Sequence, residues 1–154
     1  MATTLHFSVT ERVRASNDAV WAVLGDFGTE HRWTRTLTHC ERDTPDVRVG
    51  TARTCTLARP LMGRTKVREE LTEFQPGVSL AYVLDGPAGP FLTASSRWST
   101  KRGDDGTTLV RVDGRFTPRS WLSRLLVWPL AKPMLQRLTR RVVRELGSFA
   151  LSGR

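Results

Sequence analysis

The sequence predicts an α+β fold in which a curved antiparallel sheet wraps around one long C-terminal helix. Three observations carry this prediction: seven short runs with strand-like patterning, turn signals between consecutive runs, and a final amphipathic segment. The chain has 154 residues, 39% of them hydrophobic and 25% charged, which suffices for one core and not for two enzymatic domains. We therefore expect residues 1–154 to form a single domain.

The first part of the chain contains one strand and two short helices. Apolar and polar residues alternate over residues 4–13, which predicts a strand with one buried face. Ser16 is a suitable N-cap for a short helix over residues 17–26, and a second short turn follows over 29–34.

Six further strands are predicted before residue 117. Clusters of proline, glycine and aspartate separate them, among them Arg59–Gly63 and Gly86–Pro90, so consecutive strands should pair as an antiparallel meander. The predicted strands are 36–43, 50–58, 65–74, 79–85, 91–102 and 106–116.

The end of the chain has helical patterning. Thr117 and Pro118 are predicted to be the N-cap and the first residue of a helical segment that Pro129 interrupts. A long helix is predicted from about residue 131 to 150, with an apolar stripe and with arginines mostly outside it. Because only the sheet is large enough to cover this stripe, we expect the helix to pack on the sheet.

Several common functional sites have no counterpart in the sequence. It contains no G-x-G, G-K-[ST] or G-x-S-x-G pattern, which argues against a dinucleotide turn, a phosphate loop and the common hydrolase arrangement. The three histidines stand far apart, and the two cysteines offer no paired metal-ligand spacing. We predict no metal and no other cofactor.

The two cysteines and the N-terminus predict a cytoplasmic protein. Cys40 and Cys55 do not form the framework of a small secreted domain, and residues 1–6 lack a basic region followed by an apolar segment. No apolar stretch approaches the 18 residues of a membrane-spanning helix. In a reducing compartment both thiols should be free; a bond between them would need Cys40 to share the inward face of Cys55.

Positive charge is concentrated near the C-terminus. The formal net charge is +9, and residues 111–154 contain ten basic and two acidic side chains. Such a stretch attracts polyanions, including an anionic membrane surface. An arginine-rich composition is the alternative explanation, since 21 of the 24 basic residues are arginines. No aromatic stacking surface or reading motif accompanies the charge, which disfavours nucleic-acid binding.

Two charged residues fall on strand faces that should be apolar. Glu69 shares a face with Val67, and a turn at 59–63 would place position 57 opposite 65 and Arg53 opposite Glu69. An ion pair in a dry core is costly, so this pair indicates a hydrated or ligand-filled interior. The alternative is that the two charges neutralise each other or reach water at the sheet edge.

The same alternation supplies further inward candidates. Tyr82 and Trp98 carry a polar group on an apolar ring, as pocket walls often do, although Trp98 is also explained as plain core. His31 and Trp33 are expected near the mouth of the cavity. Histidine suits proton transfer near neutral pH, so His31 is a candidate acid or base, with an ordinary surface histidine as the alternative. The remaining inward candidates are Leu80, Leu84, Ala94, Ser96, Val110 and Val112.

Several segments in this order carry a family resemblance: Ser16–Phe27, Trp33, Val49–Arg53, Glu69–Leu71, Leu80–Tyr82 and the closing helix. Together they resemble the polyketide cyclase/dehydrase branch of the SRPBCC superfamily, which has the START-like, helix-grip fold. The resemblance covers essentially the whole chain. It implies a seven-stranded antiparallel sheet around the C-terminal helix, two short helices between the first two strands, and a deep cavity for a hydrophobic molecule.

The resemblance also implies a function. It predicts binding of a polyketide-, aromatic- or acyl-like molecule, with cyclase/dehydratase chemistry if the protein is an enzyme. In that case Arg53 or Tyr82 would polarise a carbonyl, and His31 or Glu69 would move protons. The residues expected to contact the ligand are Trp33, Cys55, Val67, Leu84, Ser96, Trp98, Met134 and Leu138.

The alternative function is a non-catalytic lipid or hydrophobic-metabolite carrier that docks on anionic membranes through its basic C-terminal segment. Residues Trp121–Trp128 combine large apolar side chains with Arg119 and Arg124. Packing as a lid or as core is the preferred interpretation of this segment, and an interfacial membrane patch is the alternative.

Overall fold

The computed structural model describes residues 4–61, 64–87 and 89–153. The elements are β1 (Leu5–Val13), α1 (Asn17–Leu24), a 3₁₀ turn (Glu30–Arg32), β2 (Leu37–Arg42), β3 (Ala52–Leu61), β4 (Arg64–Gln75), β5 (Ser79–Leu84), β6 (Phe91–Arg102), a 3₁₀ turn (Asp104–Gly106), β7 (Thr108–Pro118), a π-helical turn (Ser123–Val127) and α2 (Trp128–Ser152). Two predicted turns include Met62, Gly63 and Ala88, which lie outside the described residues.

All seven strands form one antiparallel sheet in the order β1-β7-β6-β5-β4-β3-β2. The strands from β2 to β7 are neighbours in sequence order, which confirms the predicted meander, and β1 pairs with the last strand, β7. The long helix α2 packs against β1 and α1. The predicted helix-grip architecture is therefore confirmed, including the two short helical segments between β1 and β2.

Two clusters of buried side chains join the helices to the sheet. One lies between α1, the second half of α2 and the middle strands, and the other between β1, β6 and the start of α2. A Cβ atom at Gly147 would lie 2.6 Å from Val13 Cγ1, so this glycine lets α2 approach β1 closely. Side chains of both clusters, among them Leu24 and Phe7, border an interior space that is described below.

The predicted start of the C-terminal helix is wrong. Thr117 and Pro118 continue β7, because they pair with Thr93 and Phe91 of β6. Pro129 does not interrupt the helix: the backbone stays helical from the π-helical turn into α2, which includes Pro129. The helix α2 begins at Trp128, before the predicted start near residue 131. The short helix α1 ends at Leu24, before its predicted end at residue 26.

The segment Trp121–Trp128 divides into an exposed and a packed part. Trp121, Leu122, Leu125 and Leu126 are 68%, 47%, 60% and 66% exposed, and none of the four lines the interior space. Only Val127 and Trp128 pack inward, with the Trp128 ring 5.5 Å from that of Phe116. The preferred interpretation as lid or core is therefore wrong for the first four apolar residues. Across the described ranges, no helix combines the length and apolar character that crossing a bilayer requires.

The expectation of free thiols is also wrong. Cys40 on β2 lies directly opposite Cys55 on β3, both are buried, and a disulfide joins them. The alternation of β3 gives the face of Cys55, but β2 is short and mostly polar, so its sequence pattern does not place Cys40 on that face.

Removing this disulfide should reduce stability measurably. We expect Cys40→Ser/Cys55→Ser to lose about 2–3 kcal/mol of unfolding free energy, because the bridge restricts the unfolded chain across a loop of roughly this length. Urea unfolding of the variant, and of the wild type unfolded and refolded in reductant, checks this. Identical unfolding midpoints for oxidised wild type and variant would contradict the expectation.

Candidate functional site

A cavity of about 280 Å³ lies between the sheet and α2. All seven strands, α1 and α2 contribute to its wall, and most of the lining side chains are apolar. The charged residues on the wall are Glu30, Arg53, Arg64 and Glu69. The interior is therefore hollow, as predicted, and its volume is near the lower end of the range for small-molecule pockets.

Strand pairing brings Arg53 and Glu69 together. Arg53 on β3 lies directly opposite Glu69 on β4, as the sequence predicts. The predicted pairing of positions 57 and 65 is not observed, because the register shifts between Thr56 and Leu61. The irregularity lies at the end of the hairpin and leaves the inner part of the ladder in the predicted register.

Arg53 is shared by two carboxylates. Its Nη1 donates to Glu30 Oε1, while Nε and Nη2 donate to Glu69 Oε1 over 3.2 and 3.0 Å. The rings of Phe27 and Tyr82 flank the guanidinium carbon, with centroids 4.1 and 4.6 Å away. Such cation–π contacts favour the cation in a site that water hardly reaches. Arg53, Glu30 and Glu69 therefore form one buried ionic cluster.

Glu30 is the member of the cluster that sequence reasoning missed. Its carboxylate also accepts the N–H of Gly28, which lies 2.7 and 2.9 Å from the two oxygens. Gly28 has a φ of +103°, and a Cβ there would lie 3.0 Å from Arg42 Cβ, so the loop requires glycine. The only sequence signal for Glu30 is an acidic residue between the aromatic Phe27 and Trp33, and no strand alternation orients it.

The proton affinities within the cluster follow from its charges. Burial disfavours charged Arg53, but Glu30 and Glu69 outweigh burial and raise the pKa of Arg53 above its ordinary value. Burial raises the pKa of Glu69, and the nearby Arg53 guanidinium only partly offsets this effect. The second carboxylate, Glu30, adds a smaller effect that also raises the pKa of Glu69. Glu69 therefore binds a proton more readily than an ordinary glutamate does.

Tyr82 lies beside the cluster with its hydroxyl proton retained. Its oxygen accepts the Trp98 indole N–H over 3.3 Å. Burial, followed by the negative charge of Glu69, raises the pKa of Tyr82. The phenol therefore stays neutral near pH 7 and can donate a hydrogen bond to an oxygen atom in the cavity.

The predicted ligand-contacting residues separate into two groups. Cys55 and Met134 do not line the cavity, because Cys55 is enclosed in the disulfide and Met134, 47% exposed, precedes the inward-facing Leu135 on α2. The residues that do line it are Trp33, Val67, Leu84, Ser96, Trp98 and Leu138. Their roles in binding remain predictions.

His31 lies away from the cavity wall. Its Nδ1 accepts the N–H of Cys40 over 3.1 Å, and its ring centroid lies 5.5 Å from that of His39. In a 3₁₀ turn, residues three apart face the same side. Glu30 and Trp33 therefore both line the cavity, whereas His31 contacts β2 instead of the expected mouth.

Three residues that could supply metal ligands lie close together, but each already has another partner. Ligand atoms of Glu30, Cys40 and Cys55 lie within 4.8 Å of one another. The two sulfur atoms are bonded to each other, and Glu30 is paired with Arg53. This arrangement leaves no thiolate for a metal ion.

The raised pKa of Glu69 predicts a pH-dependent contribution to stability. A carboxyl with a raised folded-state pKa stabilises the fold below its ordinary value, 4.5, and this contribution is lost as pH rises through the raised pKa. We expect the unfolding free energy of wild type, relative to Glu69→Gln, to fall as pH increases above 4.5.

Glu73→Gln is the matched control, because the pKa of Glu73 is shifted in the opposite direction. The Ser79 hydroxyl, together with Arg97, lowers the pKa of Glu73. The advantage of wild type over Glu73→Gln should therefore be present above the ordinary carboxyl pKa and disappear as pH falls through the lowered one. Urea unfolding across pH measures both differences. Parallel profiles for the two variants would contradict a raised pKa of Glu69.

The fold and the cavity define a helix-grip protein with a hydrophobic interior. Residues 4–148 match the family described as polyketide cyclase/dehydrase and lipid transport. The chain therefore belongs to this SRPBCC-type family. No curated protein matches the sequence.

Solved structures of the same fold are similar over nearly their whole lengths. An uncharacterised protein from Bacillus thuringiensis is 19% identical, with a TM-score of 0.75 over 96% of this chain and 99% of that chain. The ZhuI aromatase/cyclase from Streptomyces sp. R1128 is 18% identical, with a TM-score of 0.73 over 96% and 94%. Ara h 8.0201 is 12% identical, with a TM-score of 0.72 over 97% and 99%. At these identities the likeness shows the fold alone.

Proposed function

We propose that the protein binds a polyketide-, aromatic- or acyl-like small molecule in its interior cavity. The observation that carries this proposal is the ion-paired Arg53 and Glu69 on the wall of a largely apolar cavity of about 280 Å³. The apolar wall suits a hydrophobic body, and the cluster offers a carbonyl or hydroxyl group polar partners at one place. Membership of the family supports the same ligand class.

We further propose that the cluster catalyses aldol condensation and dehydration of a polyketone. Glu69, as carboxylate, takes a proton from a carbon next to a carbonyl group, and that carbon attacks the carbon of a distant carbonyl group of the same chain to close a six-membered ring. Arg53 and Tyr82 polarise the attacked oxygen, and Glu69 returns the proton to it. Loss of a further carbon-bound proton together with the hydroxyl group releases water and leaves a double bond, so no oxidant or reductant is needed.

Two probes test binding and chemistry separately. Titration with 2-naphthol should give a saturable NMR shift of the Trp98 indole N–H, because Trp98 lines the cavity. Heptane-2,4,6-trione should be converted to 5-methylresorcinol and water, faster with wild type than with Glu69→Gln. An unsaturable naphthol shift would contradict binding, and equal rates for the two proteins would contradict the catalytic role.

The exposed apolar segment favours a second candidate function. We propose, as this alternative, a lipid or hydrophobic-metabolite carrier that docks on anionic membranes through the basic C-terminal part. Leu130 is 78% exposed and continues the exposed surface formed by Trp121, Leu122, Leu125 and Leu126. Lys132 is exposed beside it in sequence, a combination typical of interfacial segments.

Liposome flotation distinguishes the two candidates. A carrier should float with vesicles containing phosphatidylglycerol and not with pure phosphatidylcholine, and Trp121→Ser/Leu125→Ser should abolish flotation. Leu151→Ser is the matched control, because it removes an equally exposed leucine, 60%, near the far end of α2. Flotation that is absent, or equally reduced in both variants, would contradict membrane docking through this segment.

A further inference from the structure

A second concave space lies outside the interior cavity, between the chain that follows the first 3₁₀ turn and the C-terminal half of α2. We call it the basic groove. Its volume is about 520 Å³, and its lining residues are Trp33, Arg35, Arg141, Arg144, Glu145, Ser148 and Phe149. Three arginines and one glutamate therefore line a space that the binding proposed for the interior cavity does not use.

The one carboxylate of the groove is occupied by structural contacts. Glu145 Oε2 accepts the backbone N–H of Arg35 over 2.8 Å, and Oε1 lies 3.4 Å from the Thr34 hydroxyl. Arg141 Nε lies 3.5 Å from the same Oε1. Glu145 therefore links the backbone at Arg35 to α2. Its negative charge offsets the positive charge of only one of the three arginines.

The other two arginines keep their positive charge available. Arg144 lies 3.4 Å from Glu11, but Arg140 shares that carboxylate at 3.7 Å, so one acid faces two cations. Within the described ranges, the Arg35 side chain has no acidic group within 4.0 Å. The groove therefore carries excess positive charge, which ions in the surrounding solvent screen only partly.

Trp33 provides an independent observation. It is 7% exposed, and its indole N–H is buried without a hydrogen-bond partner. An unsatisfied buried donor costs about 1–3 kcal/mol, and such donors in folded proteins usually have a functional or solvent explanation. Trp33 belongs to the wall of both the groove and the interior cavity, and Phe149 adds a second aromatic ring to the groove.

We propose that the basic groove binds a phosphate monoester, with Arg35, Arg141 and Arg144 holding the phosphate and the two aromatic residues contacting its organic part. The three guanidinium groups against Glu145 leave two positive charges, which match the dianion of a phosphate monoester. Guanidinium groups bind phosphate oxygens in pairs of parallel hydrogen bonds, which a groove lined by several arginines permits. The proposal does not depend on what the interior cavity holds.

Phenyl phosphate, which joins a phosphate monoester to one ring, is the first probe. Calorimetric titration of the full chain should give saturable binding, and the Trp33 indole N–H, assigned with Trp33→Phe, should shift in NMR spectra. Arg35→Gln and Arg141→Gln should each weaken binding at least tenfold. Among the described residues Arg35 forms no side-chain ion pair, so Arg35→Gln should fold and remains a valid test even if Arg141→Gln is destabilised.

Arg137→Gln is the matched control. Arg137 is an exposed arginine on the same helix that does not line the groove, so its loss should change affinity less than twofold. Equal weakening in all three variants would indicate attraction to net charge only and would overturn the proposal. Absence of saturable binding of phenyl phosphate would also overturn it.

Vesicles distinguish the source of the phosphate. If the natural ligand is a phospholipid headgroup, vesicles containing phosphatidic acid should bind the wild type and bind Arg35→Gln more weakly. If it is a soluble ester, phenyl phosphate should bind and Arg35→Gln should not alter flotation. Binding to these vesicles without binding of phenyl phosphate would overturn the proposal.

Discussion

Replacing Arg53 with methionine should cost about 3–5 kcal/mol of unfolding free energy at neutral pH, because it leaves two buried carboxylates without their cation. Arg53 is 7% exposed, and the side chains of Glu30 and Glu69 are 8% and 16% exposed. Methionine keeps much of the apolar part of the arginine side chain. The loss of unfolding free energy therefore measures chiefly the removal of the positive charge. Urea unfolding measures it, and the loss should shrink at acidic pH as the carboxylates take up protons.

Two further variants separate the charge effect from simple damage to the core. The triple variant Arg53→Met/Glu30→Gln/Glu69→Gln should recover part of the lost stability, because no unpaired charge remains. Arg102→Met breaks an exposed pair with Asp18, whose side chains are 69% and 84% exposed, and should change stability little. If Arg53→Met is no more destabilising than Arg102→Met, the ionic cluster is not a buried, mutually dependent unit.

Filling the cavity should abolish ligand binding while preserving the fold. Ser96 is half-buried, lines the cavity and lies opposite Tyr82 in the sheet. A phenylalanine at this position would extend into the space of about 280 Å³ beside Tyr82 and remove room for an aromatic ligand. We expect Ser96→Phe to weaken 2-naphthol binding at least tenfold, with an unfolding midpoint equal to or above that of wild type.

Lys101→Phe is the control for Ser96→Phe. It adds the same ring to the same strand at an exposed position that does not line the cavity, so naphthol binding should be unchanged. Calorimetric titration and urea unfolding of both variants provide the comparison. Wild-type affinity in Ser96→Phe would place the ligand somewhere other than the interior cavity.

Local periodicity was sufficient to predict the sheet-borne part of the site. Alternation gives the inward face of β3, β4 and β5, and a turn position gives the pairing of Arg53 with Glu69. These inferences need only the two-residue period of a strand and the antiparallel rule. The observed pairing shows that a shifted register at the hairpin end does not disturb them.

The parts of the site outside the regular strands could not be predicted in this way. Glu30 lies in a 3₁₀ turn whose orientation depends on Gly28, and the same turn directs His31 to Cys40 instead of the cavity. The disulfide depends on which face β2 presents, and six mostly polar residues do not specify that face. The raised pKa of Glu69 depends on burial in three dimensions.

The helical end of the chain shows the same limit. Thr117 and Pro118 have the residue types of a helix start, yet strand pairing with β6 extends through them. An apolar pattern alone also does not distinguish Trp128, which packs on Phe116, from Trp121, which is exposed. Tertiary contacts decide both cases.

Xenon enters empty apolar cavities, so a xenon-pressurised crystal shows whether an accessible hollow lies between the sheet and α2. A crystal pressurised with xenon should show an anomalous peak in the space bounded by Val67, Leu84 and Leu138, or density for a co-purified ligand in the same place. The Ser96→Phe crystal should show neither. A wild-type crystal with side chains filling this space, and with no xenon or ligand in it, would show that the protein has no such cavity.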